Sequence, residues 1–140
     1  MAVVLYIEND PDNVLFVKRA LEARGHHCLW ANTGCIGLAL AEAQIPDVIL
    51  LDLNLPDMDG HEVARRLRAN PWGRLFCVPV IALTANTLRG AAENALAAGC
   101  DVYLSKPVDI RELWAQVDAA AQNCAERAGQ KWNTNGAGDP

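Results

Sequence analysis

The sequence has 140 residues, of which 51% are hydrophobic and 21% are charged, and its net charge is −5. No apolar run approaches the roughly 18–20 residues of a membrane-spanning helix, and no block of Lys or Arg offers a surface for nucleic-acid phosphates. The N-terminal segment is too short for a secretory signal. We therefore expect a cytoplasmic, single-domain protein that neither enters a membrane nor binds nucleic acid directly.

Apolar runs alternate five times with segments of helical periodicity. The predicted strands cover residues 3–7, 27–31, 48–51, 78–83 and 102–104. Several of these runs are continuous in Val, Ile and Leu, which is typical of parallel strands covered on both faces. The segments between them carry apolar residues three or four positions apart. This alternation predicts an α/β fold in which a five-stranded parallel sheet is doubly wound by helices.

Composition and cap residues set the limits of the predicted domain. Asp10 followed by Pro11 is typical of an N-cap and a first helical residue. The periodic pattern stops near the C-terminus, so we assign residues 1–124 to the domain and predict a disordered tail over 125–140.

The five cysteines are an odd number without a CxxC pair, and they are predicted to be core residues in a reducing compartment.

Polar residues follow four of the predicted strands, at the edge where an open parallel sheet binds its ligands. They are Glu8, Asn9 and Asp10 after the first strand, Asp52 and Asn54 after the third, Thr84 after the fourth and Lys106 after the fifth. A carboxylate can act as a nucleophile and form an acyl phosphate. Carboxylates and water suit magnesium, and a lysine can pair with phosphoryl oxygen. Asp52 ends the most apolar central strand, so the pattern predicts phosphoryl transfer onto Asp52.

Four segments, YIENDPDN, VILLDLNLPDMDG, VIALTA and GCDVYLSKP, resemble the signature blocks of the response regulator receiver family. They occur in the order and at the spacing of that family, and the resemblance covers about residues 2–122. It implies a flavodoxin-like (βα)5 receiver domain of two-component signalling. Such a domain accepts a phosphoryl group from a histidine kinase or a histidine phosphotransfer protein in a phosphorelay.

The resemblance also implies roles for individual residues. Asp52 would be the phosphoacceptor, and Thr84 and Lys106 would bind the phosphoryl group. The Lys106–Pro107 peptide bond would be cis. Tyr103 would match the switch aromatic residue that changes rotamer together with Thr84. A receiver of this kind is not an enzyme in the usual sense, and has at most self-phosphorylation and self-dephosphorylation activity.

For the metal, the resemblance implies that Mg²⁺ is held by Asp52, by Glu8 largely through water, and by the backbone carbonyl of Asn54. One position departs from the family pattern. The family usually has a second acid directly after the first, whereas this sequence has Asn9 there and the acid one place later, at Asp10. An amide oxygen can ligate Mg²⁺ without adding charge, so we predict reduced affinity. Asp10 is an additional candidate ligand, although helix capping alone explains it.

Two alternatives stay open beside the phosphorylated switch. A receiver-like interaction module that is not phosphorylated is favoured by Asn9. A haloacid-dehalogenase-like phosphatase would also use a strand-end aspartate, but Asn54 replaces the second acid of its DxDx(T/V) pattern.

For the switch, we expect a downstream protein partner on the fourth helix, fifth strand and fifth helix, roughly residues 86–117. The chain could be a stand-alone regulator or part of a larger hybrid protein.

Overall fold

Five strands alternate with five α-helices along the chain. The computed structural model describes residues 2–69, 72–85 and 89–133, with side chains up to residue 122. The elements are β1 (Val3–Ile7), α1 (Pro11–Ala23), β2 (His27–Ala31), α2 (Gly34–Gln44), β3 (Val48–Asp52), α3 (Gly60–Leu67), a 3₁₀ turn (Arg74–Cys77), β4 (Val80–Thr84), α4 (Ala91–Ala98), β5 (Val102–Ser105) and α5 (Ile110–Asn133). The predicted strands are all present. The largest shift is at β4, which begins two residues later than predicted.

The five strands form one parallel sheet in the order β2-β1-β3-β4-β5. This is the strand order of a flavodoxin-like doubly wound fold, which confirms the predicted fold class. The order reverses between β1 and β3, where successive connections leave toward opposite faces. A crevice forms at such a point, outside the carboxyl ends of the strands. The topology therefore places the ends of β1 and β3 beside the ligand-binding position of the fold.

The core lies on both faces of the sheet, as the continuous apolar strands require. Side chains of α1 and α5 pack on one face, with Leu21 and Leu113 buried there against Tyr6. Helices α2, α3 and α4 cover the other face, where Val63 packs in a cluster with Ile7. Tyr6 and Ile7 are neighbours on β1 that point to opposite faces, as the period of two in a strand demands. Every residue of β3 and β4 is buried.

The last helix continues beyond the domain boundary that the sequence predicted at residue 124. Helix α5 runs to Asn133, so the structure has helix over 125–133, where the sequence predicted a tail. The segment AERAGQKW has little apolar periodicity, but most of its residues are good helix formers, which explains the extension. Residues 134–140 of the predicted tail lie outside the described part of the chain. No helix among the described residues is long and apolar enough to span a membrane.

The cysteines differ in their environment. Cys28 and Cys100 are buried, and burial raises the pKa of each thiol to about 11, as befits the predicted core residues. Cys35 is exposed on α2 and Cys77 is half-buried, so the prediction of a core position is wrong for Cys35. Cys35 stands in the first turn of α2, on the side that faces away from the sheet. The side chain of Cys124 lies outside the described residues.

Candidate functional site

The carboxyl ends of β1, β3 and β5 surround a cavity of about 250 Å³. Its lining residues are Glu8, Asn9, Asp10, Asn13, Asp52, Asn54, Ala85 and Lys106. Three polar residues at this edge are almost fully buried, with exposed fractions of 2% for Glu8, 4% for Asp52 and 5% for Thr84. Thr84 borders a second cavity of about 510 Å³, which shares Asn54 and Ala85 with the first. The strand-end residues singled out from the sequence therefore meet at one edge of the sheet.

Asp52 is the last residue of β3 and pairs in register with Leu83 of β4. Its Oδ1 accepts a hydrogen bond from the backbone N–H of Asn54 at 3.0 Å, and its Oδ2 lies 3.4 Å from Lys106 Nζ. Burial, together with the neighbouring Glu8, raises the pKa of Asp52 to about 6 against the opposing effects of Asn54 and Lys106. Asp52 is thus a desolvated carboxylate that opens into a cavity.

Glu8 follows β1 directly and receives three hydrogen bonds. Its Oε1 accepts from the Tyr6 hydroxyl at 2.8 Å and from Lys106 Nζ at 2.6 Å, and its Oε2 accepts from the backbone N–H of Asp10 at 3.1 Å. Burial alone would raise the pKa of Glu8, but hydrogen bonding, first with Lys106, next with Asp52 and then with Asp10 and Tyr6, holds it below its ordinary value. As the pH falls, Asp52 is therefore the first of the two carboxylates to take a proton.

The loop after β3 is held in place from two sides. Asp57 accepts hydrogen bonds from the backbone N–H of Gly34 at 2.8 Å and of the next residue at 2.9 Å, and so caps the start of α2. Gly60 packs onto Leu53, where a Cβ would lie 2.5 Å from the Leu53 Cα and 2.8 Å from the carbonyl oxygen of Asp52. Glycine is therefore required at this close approach. Both contacts fix the loop that carries the Asn54 carbonyl.

The remaining predicted residues lie on β4, on β5 and directly after β5. The backbone carbonyl of Thr84 accepts a hydrogen bond from the Lys106 N–H at 2.8 Å, which joins the two strand ends. The Lys106–Pro107 peptide bond is cis, as the family resemblance implied. Tyr103 does not line the cavity around Asp52. It lies beside Ala82 in the sheet, half-buried on the face covered by α2, α3 and α4.

The donor set of the cavity suits a hard divalent cation. Two buried carboxylates face one small cavity, and Lys106 is the single cationic side chain among the described residues that line it. Carboxylate, amide and carbonyl oxygens with water are the ligands that Mg²⁺ prefers. Glu8, Asn9, Asp52 and the Asn54 carbonyl therefore fit this ion. This set has only two carboxylates, and the described residues contain no group of three or more His, Cys, Asp or Glu that could hold a metal. The Asp10 side chain is occupied as the N-cap of α1, where its Oδ1 accepts from the Asp12 N–H.

Two aromatic residues near Glu8 escaped the sequence analysis. Tyr6 donates to the Glu8 carboxylate from the same strand, and the Trp30 indole N–H donates to the Glu8 backbone carbonyl at 2.8 Å. The signal for Tyr6 was its position two residues before Glu8, which places both side chains on the same face of β1. The carbonyl that Trp30 contacts lies 22 residues away in sequence, so no local pattern reveals this hydrogen bond.

Comparison with known proteins agrees with this fold. Residues 4–118 match the family model described as a response regulator receiver domain. The transcriptional regulatory protein KdpE of Mycobacterium tuberculosis is 38% identical over 122 residues, which make up 87% of this chain and 52% of KdpE. The chain thus spans about half the length of this relative. The polar-differentiation response regulator DivK of Brucella ovis is 34% identical over 107 residues, covering 76% of this chain and 85% of DivK.

Solved structures show the same fold. The receiver domain of sensor histidine kinase PA1611 from Pseudomonas aeruginosa has a TM-score of 0.79 at 35% identity, covering 86% of this chain and 98% of that one. That structure is described with a magnesium ion coordinated in its active site cleft. A CheY-like receiver domain protein from Methanospirillum hungatei has a TM-score of 0.80 at 26% identity, covering 91% and 98% of the two chains.

Proposed function

The chain belongs to the response regulator receiver domain family of two-component signalling, and we propose that it is a phosphorylation switch whose phosphoacceptor is Asp52. The observation that carries this proposal is the position of the Asp52 carboxylate. It ends a fully buried strand, faces a cavity of about 250 Å³, and lies 3.4 Å from the Lys106 ammonium group. A buried carboxylate with one cation beside it is poorly solvated and therefore available as a nucleophile.

The transfer needs little covalent chemistry from the protein. An Asp52 oxygen attacks the phosphorus of a phosphohistidine on the partner, and the P–N bond breaks. Its electron pair returns to the imidazole nitrogen, which takes a proton. Lys106 pairs with a phosphoryl oxygen that arrives beside it, and the Thr84 hydroxyl at the neighbouring strand end donates to another. Water then attacks the phosphorus, inorganic phosphate leaves and the Asp52 carboxylate is restored. Because Asp52 is the proposed acceptor, one chain carries about one phosphate at a time.

Mg²⁺ fits the same cavity, where it would neutralise charge on the phosphoryl oxygens. Asp52 and the Asn54 carbonyl would bind the ion directly, and Glu8 would bind it largely through water. The oxygen of Asn9 would take the place of a charged ligand, which predicts reduced affinity. The phosphate donor would be a histidine kinase or a histidine phosphotransfer protein. The output surface would be α4, β5 and α5, which carries the signal to a protein partner.

One observation favours a second candidate, an interaction module that keeps the fold without being phosphorylated. Asn9 lines the cavity at the position where the family usually has its second acid. If the loss of that charge abolished Mg²⁺ binding, Asp52 would remain unmodified and the domain would act by its surface alone. The presence of Asp52, Thr84 and Lys106 at the same edge favours the phosphorylated switch.

Labelling with a small phosphodonor tests the proposal. Wild-type protein incubated with acetyl phosphate and Mg²⁺ should gain about one phosphate per chain by intact mass spectrometry, and Asp52→Asn should gain none. Asp12→Asn is the matched control, since Asp12 is an exposed aspartate in the first turn of α1. This control should be labelled like the wild type. Undiminished labelling of Asp52→Asn would disprove the assignment, and an unlabelled wild type would favour the interaction module.

A further inference from the structure

The proposed phosphoryl transfer assigns no role to the buried hydroxyl of Tyr6. The Tyr6 hydroxyl donates to Glu8 Oε1 at 2.8 Å, and the same oxygen accepts from Lys106 Nζ at 2.6 Å. Tyr6 is 1% exposed and Glu8 is 2% exposed, so both donors meet the Glu8 oxygen at a position largely shielded from bulk solvent. One carboxylate oxygen is therefore shared by a rigid donor from the core and a charged donor directly after β5.

The two donors differ in how freely they can move. Tyr6 lies on β1, between β2 and β3, and its ring packs in the core cluster with Leu21 and Leu113 of α1 and α5. Its hydroxyl is consequently fixed in place. The Lys106 side chain is 18% exposed and has four rotatable bonds, and its ammonium group also lies 3.4 Å from Asp52 Oδ2. Lys106 can therefore shift between the two carboxylates, while Tyr6 cannot.

A phosphoryl group on Asp52 would draw Lys106 away from Glu8. The Glu8 oxygen would then lose a charged donor while remaining buried, and a buried carboxylate oxygen without a donor is unfavourable. The Tyr6 hydroxyl is the donor that would stay. A tyrosine hydroxyl that is hydrogen-bonded to a carboxylate is protonated at neutral pH, so it remains a donor.

We propose that Tyr6 is a positioning residue, whose hydroxyl holds the Glu8 carboxylate and so releases Lys106 to bind the phosphoryl group on Asp52. This inference rests on the proposed function. Without the hydroxyl, the Glu8 oxygen keeps Lys106 of these two donors, and the Lys106–Glu8 pair competes more strongly with the phosphoryl group. The effect falls on binding of the phosphoryl group, because Lys106 does not have to leave Glu8 when the metal alone binds.

The test is Tyr6→Phe, which removes the hydroxyl and keeps the buried ring. Titrations of Mg²⁺ alone and of beryllofluoride at saturating Mg²⁺ are compared with wild type. We expect the Mg²⁺ affinity to change by less than about twofold and the beryllofluoride affinity to fall by about tenfold, as for the loss of a hydrogen bond to a charged group. An unchanged beryllofluoride affinity, or equal losses for both ligands, would overturn the proposal.

A second measurement keeps the proposal testable should Tyr6→Phe fold poorly. In a crystal structure of wild-type protein with Mg²⁺ and beryllofluoride, Lys106 Nζ should have left Glu8 Oε1 for a fluorine on Asp52, while the Tyr6 hydroxyl stays within hydrogen-bond distance of Glu8. Departure of the Tyr6 hydroxyl, or a Lys106 that stays on Glu8, would contradict the inference. Failure of the wild type to bind beryllofluoride at all would instead contradict the proposed function.

Discussion

The ammonium group of Lys106 lies 2.6 Å from the Glu8 carboxylate and 3.4 Å from that of Asp52. Lys106 therefore compensates Glu8 more than Asp52. This asymmetry agrees with the pKa values, because the pKa of Glu8 lies below its ordinary value while that of Asp52 is raised to about 6. The carboxylate proposed to receive the phosphoryl group is the one whose charge is less well compensated.

The raised pKa of Asp52 predicts that its charge lowers the stability of the fold. The folded protein holds a proton on Asp52 more tightly than the unfolded chain, so stability falls as the pH rises from 3.8 to about 6. Asp52→Asn should therefore raise the free energy of unfolding at pH 7.5 by about 1–2 kcal/mol, and this gain should shrink below pH 4. Urea denaturation of both proteins at the two pH values measures the difference.

The control for this prediction is again Asp12→Asn, which removes an exposed carboxylate and should change the free energy of unfolding by less than about 0.5 kcal/mol. Mg²⁺ provides a second check, since it should stabilise the wild type more than Asp52→Asn. An Asp52→Asn variant that is less stable than wild type at pH 7.5 would show that the Asp52 charge is compensated in the folded protein.

Restoring the second acid should strengthen metal binding. Asn9 lines the cavity beside Glu8 and Asp52, and Asn9→Asp adds one negative charge there. We expect Mg²⁺ to bind more tightly by about 1–2 kcal/mol, for unit charges a few Å apart at an intermediate dielectric. The half-exposed Trp30 indole donates a hydrogen bond to the Glu8 backbone carbonyl, so its fluorescence can follow the Mg²⁺ titration. Equal affinities would mean that Asp10 acts as the ligand or that the ion does not bind at this edge.

Arg68 joins three segments at the amino ends of β4 and β5, away from the cavity around Asp52. Arg68 donates to the backbone carbonyls of Leu75, Phe76, Val78 and Gly99, and forms an ion pair with Asp101 at 2.8 Å. Arg68→Ala removes this donor from the partly buried carbonyls of Val78 and Gly99 and breaks the ion pair with Asp101, and should lower the free energy of unfolding by about 3 kcal/mol. Arg68→Lys should recover little, because an ammonium group cannot reproduce the planar fork of a guanidinium.

Arg65→Ala is the matched control for this arginine. Arg65 lies on the exposed face of the same helix and pairs with Glu62 one turn away, at 3.2 Å. A solvent-exposed pair of this kind contributes little to the stability of the fold. Chemical denaturation of the three variants separates the contributions. If Arg68→Ala cost no more than Arg65→Ala, the hydrogen bonds of Arg68 would carry no net stability.

The sequence predicts the fold and the edge of the site because both depend on local patterns. Apolar strands that alternate with periodic helices specify a parallel sheet, and a parallel sheet brings all its carboxyl ends to one edge. Asp52, Thr84 and Lys106 could be selected on that ground. The partners of each side chain depend on distances across the fold. Lys106 and Glu8 are 98 residues apart, and the preference of Lys106 for Glu8 over Asp52 has no local signature.

The contacts that hold the site escaped prediction for the same reason. Asp57 caps α2 from 23 residues away, whereas capping rules read from sequence consider only adjacent residues. Helix α5 extends to Asn133 through residues of good helix propensity that carry little apolar periodicity, so the apolar pattern alone does not predict its last turns. Exposed positions such as Cys35 show that residue type alone does not specify burial.

The route by which the signal leaves the site is proposed to pass through Thr84. Thr84 is buried at the end of β4, and its cavity of about 510 Å³ reaches Ala91 and Asn94 of α4. This space, together with the alanine-rich sequence of α4, means that few large side chains oppose a small shift of that helix. Tyr103 is half-buried on the adjacent strand, on the face that α4 helps to cover. Movement of the Thr84 hydroxyl toward Asp52 would open room for the Tyr103 ring.

The expected result is a change of hydrogen exchange over 89–117 when beryllofluoride and Mg²⁺ bind, since a ligand shifts a conformation only through contacts made in one state. Residues 86–88, which the predicted output surface also includes, lie outside the described part of the chain.

Thr84→Ala should still accept phosphate on Asp52 but lose this distant change, because the group that senses the phosphoryl oxygen is absent. Thr33→Ala is the control, since it also removes a threonine hydroxyl, here the one that caps α2, and should keep the change. If exchange in the wild type altered only over 8–13 and 52–60 while 89–117 stayed silent, the signal would not leave the site through Thr84.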